Sequence, residues 1–241
     1  MDLGIEGKVA LVTASSRGLG RATAGALAAE GVKVMVTARQ EASLAETAEW
    51  LRATGAEVAT TVADITDADA PARLVDATVE AFGGLDIVMA NAGGPPAGRA
   101  LDVDDDMLVA AVNANLLSAV RLTRHALPPM RRRGWGRICC ITSYSVVQPV
   151  PTLALSNTAR VGLWAWAKTA AQDLAAEGSG ITLNLLCPGP HATDRMRELG
   201  GSGVMGDPAD FGGVAAFLCS RQAGFVNGAA IVVDGGATLA L

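Results

Sequence analysis

Apolar runs of strand length alternate along the chain with stretches in which apolar residues recur every three or four positions. Seven runs read as strands: KVALVT, VKVMVT, AEVATTVA, LDIVMA, GRICCIT, ITLNLLC and AAIVVD. Several are apolar throughout rather than alternating, which marks strands buried on both faces, and helices between successive strands impose parallel crossovers. The pattern predicts an α/β fold, a doubly wound, seven-stranded parallel sheet with helices on both faces. The helical stretches carry start and stop signals. Gly18 to Glu30 places Leu19, Ala22, Ala26 and Ala29 at helical spacing and stops at Gly31. Asp67 is placed to cap a helix reaching about Phe82, ended by Gly83 and Gly84. Further helices are predicted from about Asp104 to Arg132, in one piece or two, from about Leu153 to Glu177, and from Asp207-Pro208. No linker, repeat or low-complexity tract interrupts this order, so residues 1–241 read as one domain.

Composition narrows the function classes. With 50% hydrophobic residues over 241 positions, the chain has ample material for a buried core. A net charge of -5 leaves no electrostatic footprint for nucleic acid or an anionic membrane. The one basic run, Arg131 to Arg133 beside Gly134, reads as a solvated helix end. Cys139, Cys140, Cys187 and Cys219 form no CxxC pair and have no histidine at metal-ligand spacing, so no metal site is expected. Adjacent Cys139 and Cys140 on a strand must face opposite sides, as buried thiols of a reducing compartment would. The start, MDLGIEGK, has no secretory pattern, and polar residues and prolines break the charge-free stretch from Ile138 to Ala159, so no membrane span is expected. A cytoplasmic address follows.

Candidate chemistry begins after the first strand, at TASSRGLG, Thr13 to Gly20, followed by an Ala-rich helix. Glycines at a strand-to-helix turn let the backbone approach a pyrophosphate, whose charge the helix N-terminus stabilises. From here the chain resembles the short-chain dehydrogenase/reductase family, whose glycine turn reads TGxxxGxG. Ala14 takes the place of the first glycine, and Gly18 and Gly20 are kept. The resemblance continues through Asp64 in VADIT, Asn91-Ala92-Gly93, Asn115 with Thr123 and Leu127-Pro128, Pro188-Gly189 with Thr193, and Val233 to Gly236. It implies a Rossmann-like fold and a nicotinamide dinucleotide. Thr13, Ser15, Arg17, Gly18, Leu19 and Gly20 would lie at the pyrophosphate turn, and Asp64 and Ile65 at the adenine. Asn91, Ala92, Gly93, Pro188, Gly189, His191 and Thr193 would lie nearer the nicotinamide. At the end of strand two stand Ala38 and Arg39 where a carboxylate would select NAD, and Arg17 lies within the turn. Two cations without a carboxylate favour NADP(H) over NAD(H).

The resemblance also implies a catalytic tyrosine, a lysine four residues later, an orienting serine thirteen residues before the tyrosine, and a water-holding asparagine. Ser143 and Asn115 match the last two. Counting on from Ser143 places Ser156 where the tyrosine is expected and Arg160 where the lysine is, and Tyr144 is the only tyrosine in the chain. A serine hydroxyl is far too weak an acid to replace a phenol, and Arg160 stays protonated at neutral pH. Three groups remain as the proton donor: Tyr144 at the strand end, His191 in PGPHAT, and, least suited, Ser156. His125, Trp164 and Trp166 read as surface or packing residues. After Thr193 only DRMRELGGSGVMG precedes the next helix, a shortened lid whose glycines suggest an open or mobile site. The family commonly forms homodimers and homotetramers, so a homo-oligomer with a small-molecule substrate is expected. Three functions compete: an NADP(H)-dependent oxidoreductase with a rearranged catalytic set, a dehydratase or isomerase on the same scaffold, and a catalytically inactive nucleotide-binding protein.

Overall fold

The computed structural model describes residues 1–201 and 203–239. All seven predicted runs form strands: β1 (Val9–Val12), β2 (Lys33–Ala38), β3 (Val58–Val62), β4 (Ile87–Ala90), β5 (Gly136–Ile141), β6 (Ile181–Pro188) and β7 (Ala230–Val233). They pair in the order β3-β2-β1-β4-β5-β6-β7, and every pairing is parallel. The order reverses between β1 and β4, which opens a crevice at their C-terminal ends, where doubly wound sheets bind ligands.

The helices are α1 (Gly18–Ala29), α2 (Glu41–Arg52), α3 (Ala70–Phe82), α4 (Asp105–Val112), α5 (Ser118–Arg133), α6 (Ala154–Ala176), α7 (Asp194–Glu198) and α8 (Pro208–Leu218). The predicted helix from about Asp104 exists as two α-helices joined without a break by a π-turn at Asn113–Leu117. Asp104 starts it by accepting the Met107 N–H at 2.8 Å. Helix α2 was not anticipated, although Leu44, Ala48 and Leu51 stand at core spacing and are buried. The expected cap at Asp67 is wrong by two residues. Pro71 sets the backbone of the first turn, Asp69 precedes it, and Asp67 instead faces Arg73 at 4.0 Å.

Two apolar layers cover the sheet. One holds Ala24, Leu27 and Phe211 beneath α1 and α8; the other holds Leu122, Leu163 and Leu174 beneath α5 and α6. Burial of Phe211 alone contributes about 1.5–3 kcal/mol. Cys139 lies in the first layer and Cys140 in the second, as period-2 geometry requires, and all four thiols are free and buried. Trp164 and Trp166 pack partly buried against the second layer, and His125 is exposed.

The basic run is more than a solvated end. Arg131 forms a fork with the Glu177 carboxylate at 2.8 and 3.1 Å, and Arg133 Nη1 reaches the fully buried Asp86 carboxylate at 3.0 Å. Asp86 also accepts the Val9 N–H at 2.9 Å, so it ties the end of α5 to the start of β1. A side chain on Gly84 would stand 2.0 Å from the Arg133 guanidinium and would displace it. Among the described residues no helix is long and apolar enough to cross a membrane.

Candidate active site

The glycine turn is drawn tight by side chains that follow β1 and β4 and by the backbone of β2. Thr13 Oγ1 donates to the Asn91 carbonyl at 2.7 Å and accepts the Asn91 N–H at 2.8 Å, locking β1 to β4. Ser15 Oγ donates to the Val12 carbonyl at 2.8 Å and accepts the Thr37 N–H at 3.0 Å, locking β1 to β2. Asn91 Nδ2 donates to the Ala14 carbonyl at 3.1 Å. A side chain on Gly20 would meet that carbonyl at 2.5 Å, so only glycine fits. Ala14 is the one non-glycine among the described residues with positive φ, at 47°. The turn therefore keeps the backbone shape that the missing glycine would adopt freely, at the cost of strain. Gly18 faces Thr193 across the mouth of the turn, with Leu19 next to it half-buried. These features fit a dinucleotide pyrophosphate at the N-terminus of α1.

Further along the crevice, Arg39 is 75% exposed at the end of β2, 3.7 Å from Asp64. The Asp64 carboxylate accepts the Thr66 N–H at 2.9 Å and the Thr66 hydroxyl at 2.7 Å. Burial pushes its carboxyl up, but the Thr66 hydrogen bonds and the Arg39 charge outweigh this and hold it below the ordinary value. Arg17 is exposed just before α1. Among the described residues Arg17 forms no ion pair, and Arg39 pairs with Asp64 alone.

The catalytic candidates divide into two groups. Asn115 and Arg160 line a cavity of about 10 Å³, room for about one water, together with Thr13, Ile65, Asn91 and Ala92. Asn115 sits in the π-turn, is 3% exposed, and leaves its Oδ1 without a partner. A buried acceptor without a partner costs free energy until a donor meets it. Arg160 is buried. Its Nε donates to Ser156 Oγ at 3.1 Å and its Nη1 to the Ile141 carbonyl at the end of β5 at 3.0 Å. Burial lowers its pKa to about 10; proximity to Cys187 opposes that, and the Arg195 charge adds to it. Arg160 is still a cation at neutral pH.

Ser143, Tyr144 and His191 lie outside this cavity. Ser143 Oγ accepts the Ser145 N–H at 3.1 Å and so caps a short 3-10 turn at Tyr144–Val146. Tyr144 is half-buried, and its hydroxyl has no hydrogen-bond partner among the described residues. His191 is buried rather than set on the surface of its loop. Its ring is 5% exposed, its Nδ1 lies 3.0 Å from the Gly189 carbonyl, and it meets the Phe211 ring edge-on at 5.3 Å. The ring thus packs toward α8, with Gly206 against its Nε2 side. Pro188 and Gly189 end β6 and continue its pairing, the Gly189 N–H meeting the Val233 carbonyl at 2.9 Å. Thr193 caps α7 through the Met196 N–H at 3.3 Å.

The shortened lid is pinned at its base and at Arg195. The Ala192 and Gly206 N–H groups bond across its base, to Gly206 and Pro190 carbonyls, both at 2.9 Å. From α7, Arg195 Nη2 crosses to the Pro95 carbonyl at 2.6 Å, latching the strap to the loop that follows Gly93. Sequence reading missed Arg195; the available signal was a cation two residues beyond Thr193 in a strap too short for a lid helix pair.

The sheet order, glycine turn and crevice define a Rossmann-like doubly wound fold. A family model described as enoyl-(acyl carrier protein) reductase matches residues 13–238. The chain is 32% identical over 246 residues to dehydrogenase/reductase SDR family member 4 of Sus scrofa, covering 96% of this chain and 88% of the relative. It is 30% identical to the 3-oxoacyl-(acyl-carrier-protein) reductase FabG of Vibrio harveyi, covering 97% and 98%. Its backbone matches L-sorbose reductase of Gluconobacter frateurii, solved with NADPH and L-sorbose, with a TM-score of 0.93 at 30% identity over 100% of both chains. The chain belongs to the short-chain dehydrogenase/reductase family.

Proposed function

We propose that this chain, as one domain, is an NADP(H)-dependent oxidoreductase acting on the carbonyl or alcohol of a small molecule with a rearranged catalytic set. The observation that carries the reading is the intact phosphate turn, where the Ala14 carbonyl and Asn91 leave space for nothing larger than Gly20. The NADPH held by the sorbose reductase, and the exposed Arg17 and Arg39, support the 2′-phosphorylated cofactor. A bound nicotinamide supplies the hydride. The chain's own residues orient and polarise: Arg160 presents a fixed cation held by Ser156 and Ile141, Asn115 offers an acceptor, and Ser143 keeps a hydroxyl hydrogen to donate. Tyr144 is the best placed of the three proton-donor candidates, because the His191 ring packs on Gly189 and Phe211 and the Ser156 hydroxyl accepts from Arg160.

The test is NADPH and NADH affinity, followed by turnover across a carbonyl and alcohol panel. Tight NADPH binding with turnover is the expected result; preference for NADH overturns the cofactor assignment. The serine at position 156 favours a second reading. Its hydroxyl is occupied by Arg160, so a dehydratase or isomerase that needs no phenol there also suits the site. Conversion without a net change in nicotinamide absorbance selects it, and binding without any conversion selects an inactive nucleotide-binding protein. The free, buried thiols support a reducing, cytoplasmic setting, and the family supports a homodimer or homotetramer, measurable by light scattering.

A further inference from the structure

The π-turn that joins α4 to α5, Asn113–Leu117, reads NANLL and contains neither proline nor glycine to push the helix out of register. Turns of this kind inside α-helices are rare and frequent at functional sites. Two side-chain bonds hold this one. Arg121, on α5, donates from Nη1 to Asn113 Oδ1 at 2.7 Å, and Asn113 Nδ2 donates to the Thr66 carbonyl at 2.9 Å. Both ends of the Asn113 amide are therefore engaged, one along its own helix and one 47 residues back in the chain. The register and the first bond require each other. Eight positions along a regular α-helix carry a side chain about 80° past its starting direction, and the extra residue that a π-turn absorbs brings this back to within about 20°.

Thr66 is the residue through which this anchor reaches the crevice. Its N–H and its hydroxyl both donate to the Asp64 carboxylate, the group that the family resemblance places at the adenine. Its carbonyl is the one Asn113 holds, so every polar group of Thr66 is fixed, and with it the loop 64–66. Ile65, between the two, lines the same cavity as Asn115, which lies two residues beyond Asn113 in the π-turn. We propose that Asn113, held by Arg121, is a positioning residue for the adenine half of the cofactor, acting through Thr66 on Asp64. It rests on the NADP(H) reading and deepens it. A pinned Thr66 keeps both its donors on Asp64, and a carboxylate held still in advance accepts from the amino group of an adenine without the cost of ordering the loop at the moment of binding.

The probes are NADPH and adenosine 2′,5′-bisphosphate, which carries the adenosine half of NADPH and lacks the nicotinamide. Both are titrated by calorimetry, and the thermal transition of each variant is recorded. Asn113→Asp keeps an acceptor for Arg121, now as a charged pair, and sets a second oxygen against the Thr66 carbonyl. It should keep the thermal transition of the unaltered protein and still bind both probes about three- to tenfold more weakly, by the same factor for each. Arg121→Met, which removes the donor behind Asn113, should weaken both probes in the same direction, and Arg121→Lys should recover part of that loss. If Asn113→Asp does not fold, the Arg121 pair carries the test. A role confined to stability lowers the transition and leaves both affinities unchanged, so unchanged affinities in the folded variants overturn the inference. So does a loss for NADPH alone, which assigns Asn113 to the nicotinamide end. If the unaltered protein binds neither probe, the NADP(H) reading falls and the role of Asn113 with it; binding that every variant leaves intact removes the role of Asn113 alone.

Discussion

Arg160 Nε donates to Ser156 Oγ at 3.1 Å, one helical turn back along α6. Counted from Ser143, the family resemblance would place a tyrosine at 156 and a lysine at 160, and the two residues found there are bonded to each other. A guanidinium in this grip orients charge but moves no proton at neutral pH. The paired change Ser156→Tyr with Arg160→Lys restores a phenol and a smaller cation together. It is expected to raise NADPH-dependent carbonyl reduction about 10²–10⁴-fold, the usual worth of a positioned acid. A folded double variant, checked by its thermal transition, with no gain in rate would show that proton donation is already supplied elsewhere.

Arg160 also sets an alkaline limit. Burial brings its pKa to about 10, below the ordinary arginine range. Below that pH the cation and the cost of burying it are both fully present. As pH rises through about 10 the native protein releases the proton before the unfolded chain does, so this contribution to stability improves while the polarising charge disappears. Activity should therefore fall with a limb near pH 10 at constant fold. The limb should persist in the residual activity of Tyr144→Phe; its loss there would show that Arg160 does not set it.

Ala14 carries φ of 47° at the first position of the phosphate turn. The left-handed region costs an alanine about 1–2 kcal/mol, while glycine enters it freely and loses about 0.5–1 kcal/mol through the greater freedom of the unfolded chain. The native-state relief is the larger quantity, so Ala14→Gly should stabilise the protein by about 0.5–1 kcal/mol. A higher urea midpoint with an unchanged slope is the expected reading. A lower midpoint would mean that the Ala14 methyl packs more productively than its backbone angle suggests.

The sheet was legible because each strand is a run of apolar residues bounded by turn signals, and run length survives any tertiary context. The phosphate turn was legible because Gly18 and Gly20 encode a backbone path rather than a side-chain direction. What was not legible depends on where long or rotatable side chains go. Arg133 could have pointed to solvent and instead reaches Asp86, 47 residues away in sequence. His191 could have faced the crevice and instead turns to Phe211. Arg195 meets Pro95 across 100 residues, a contact no local pattern encodes. The shift of the α3 start from Asp67 to Asp69 has a local cause that was overlooked, the proline at position 71.

The Arg133 to Asp86 contact gives a stability test that leaves the crevice untouched. Asp86 is fully buried and receives Arg133 at 3.0 Å, the Val9 N–H at 2.9 Å and, more distantly, Lys8 at 3.7 Å. Removing Arg133 leaves a buried carboxylate with one backbone donor and a remote cation. Breaking a buried pair costs about 3–5 kcal/mol when nothing else compensates, and the remaining partners reduce this, so Arg133→Ala should cost about 2–3 kcal/mol in urea unfolding. Adding Asp86→Asn removes the unpaired charge and keeps an acceptor for the Val9 N–H. The double variant should therefore recover more than half of the loss. If the two losses simply add, Arg133 stabilises through packing over Gly84 rather than through charge, and the salt bridge is incidental.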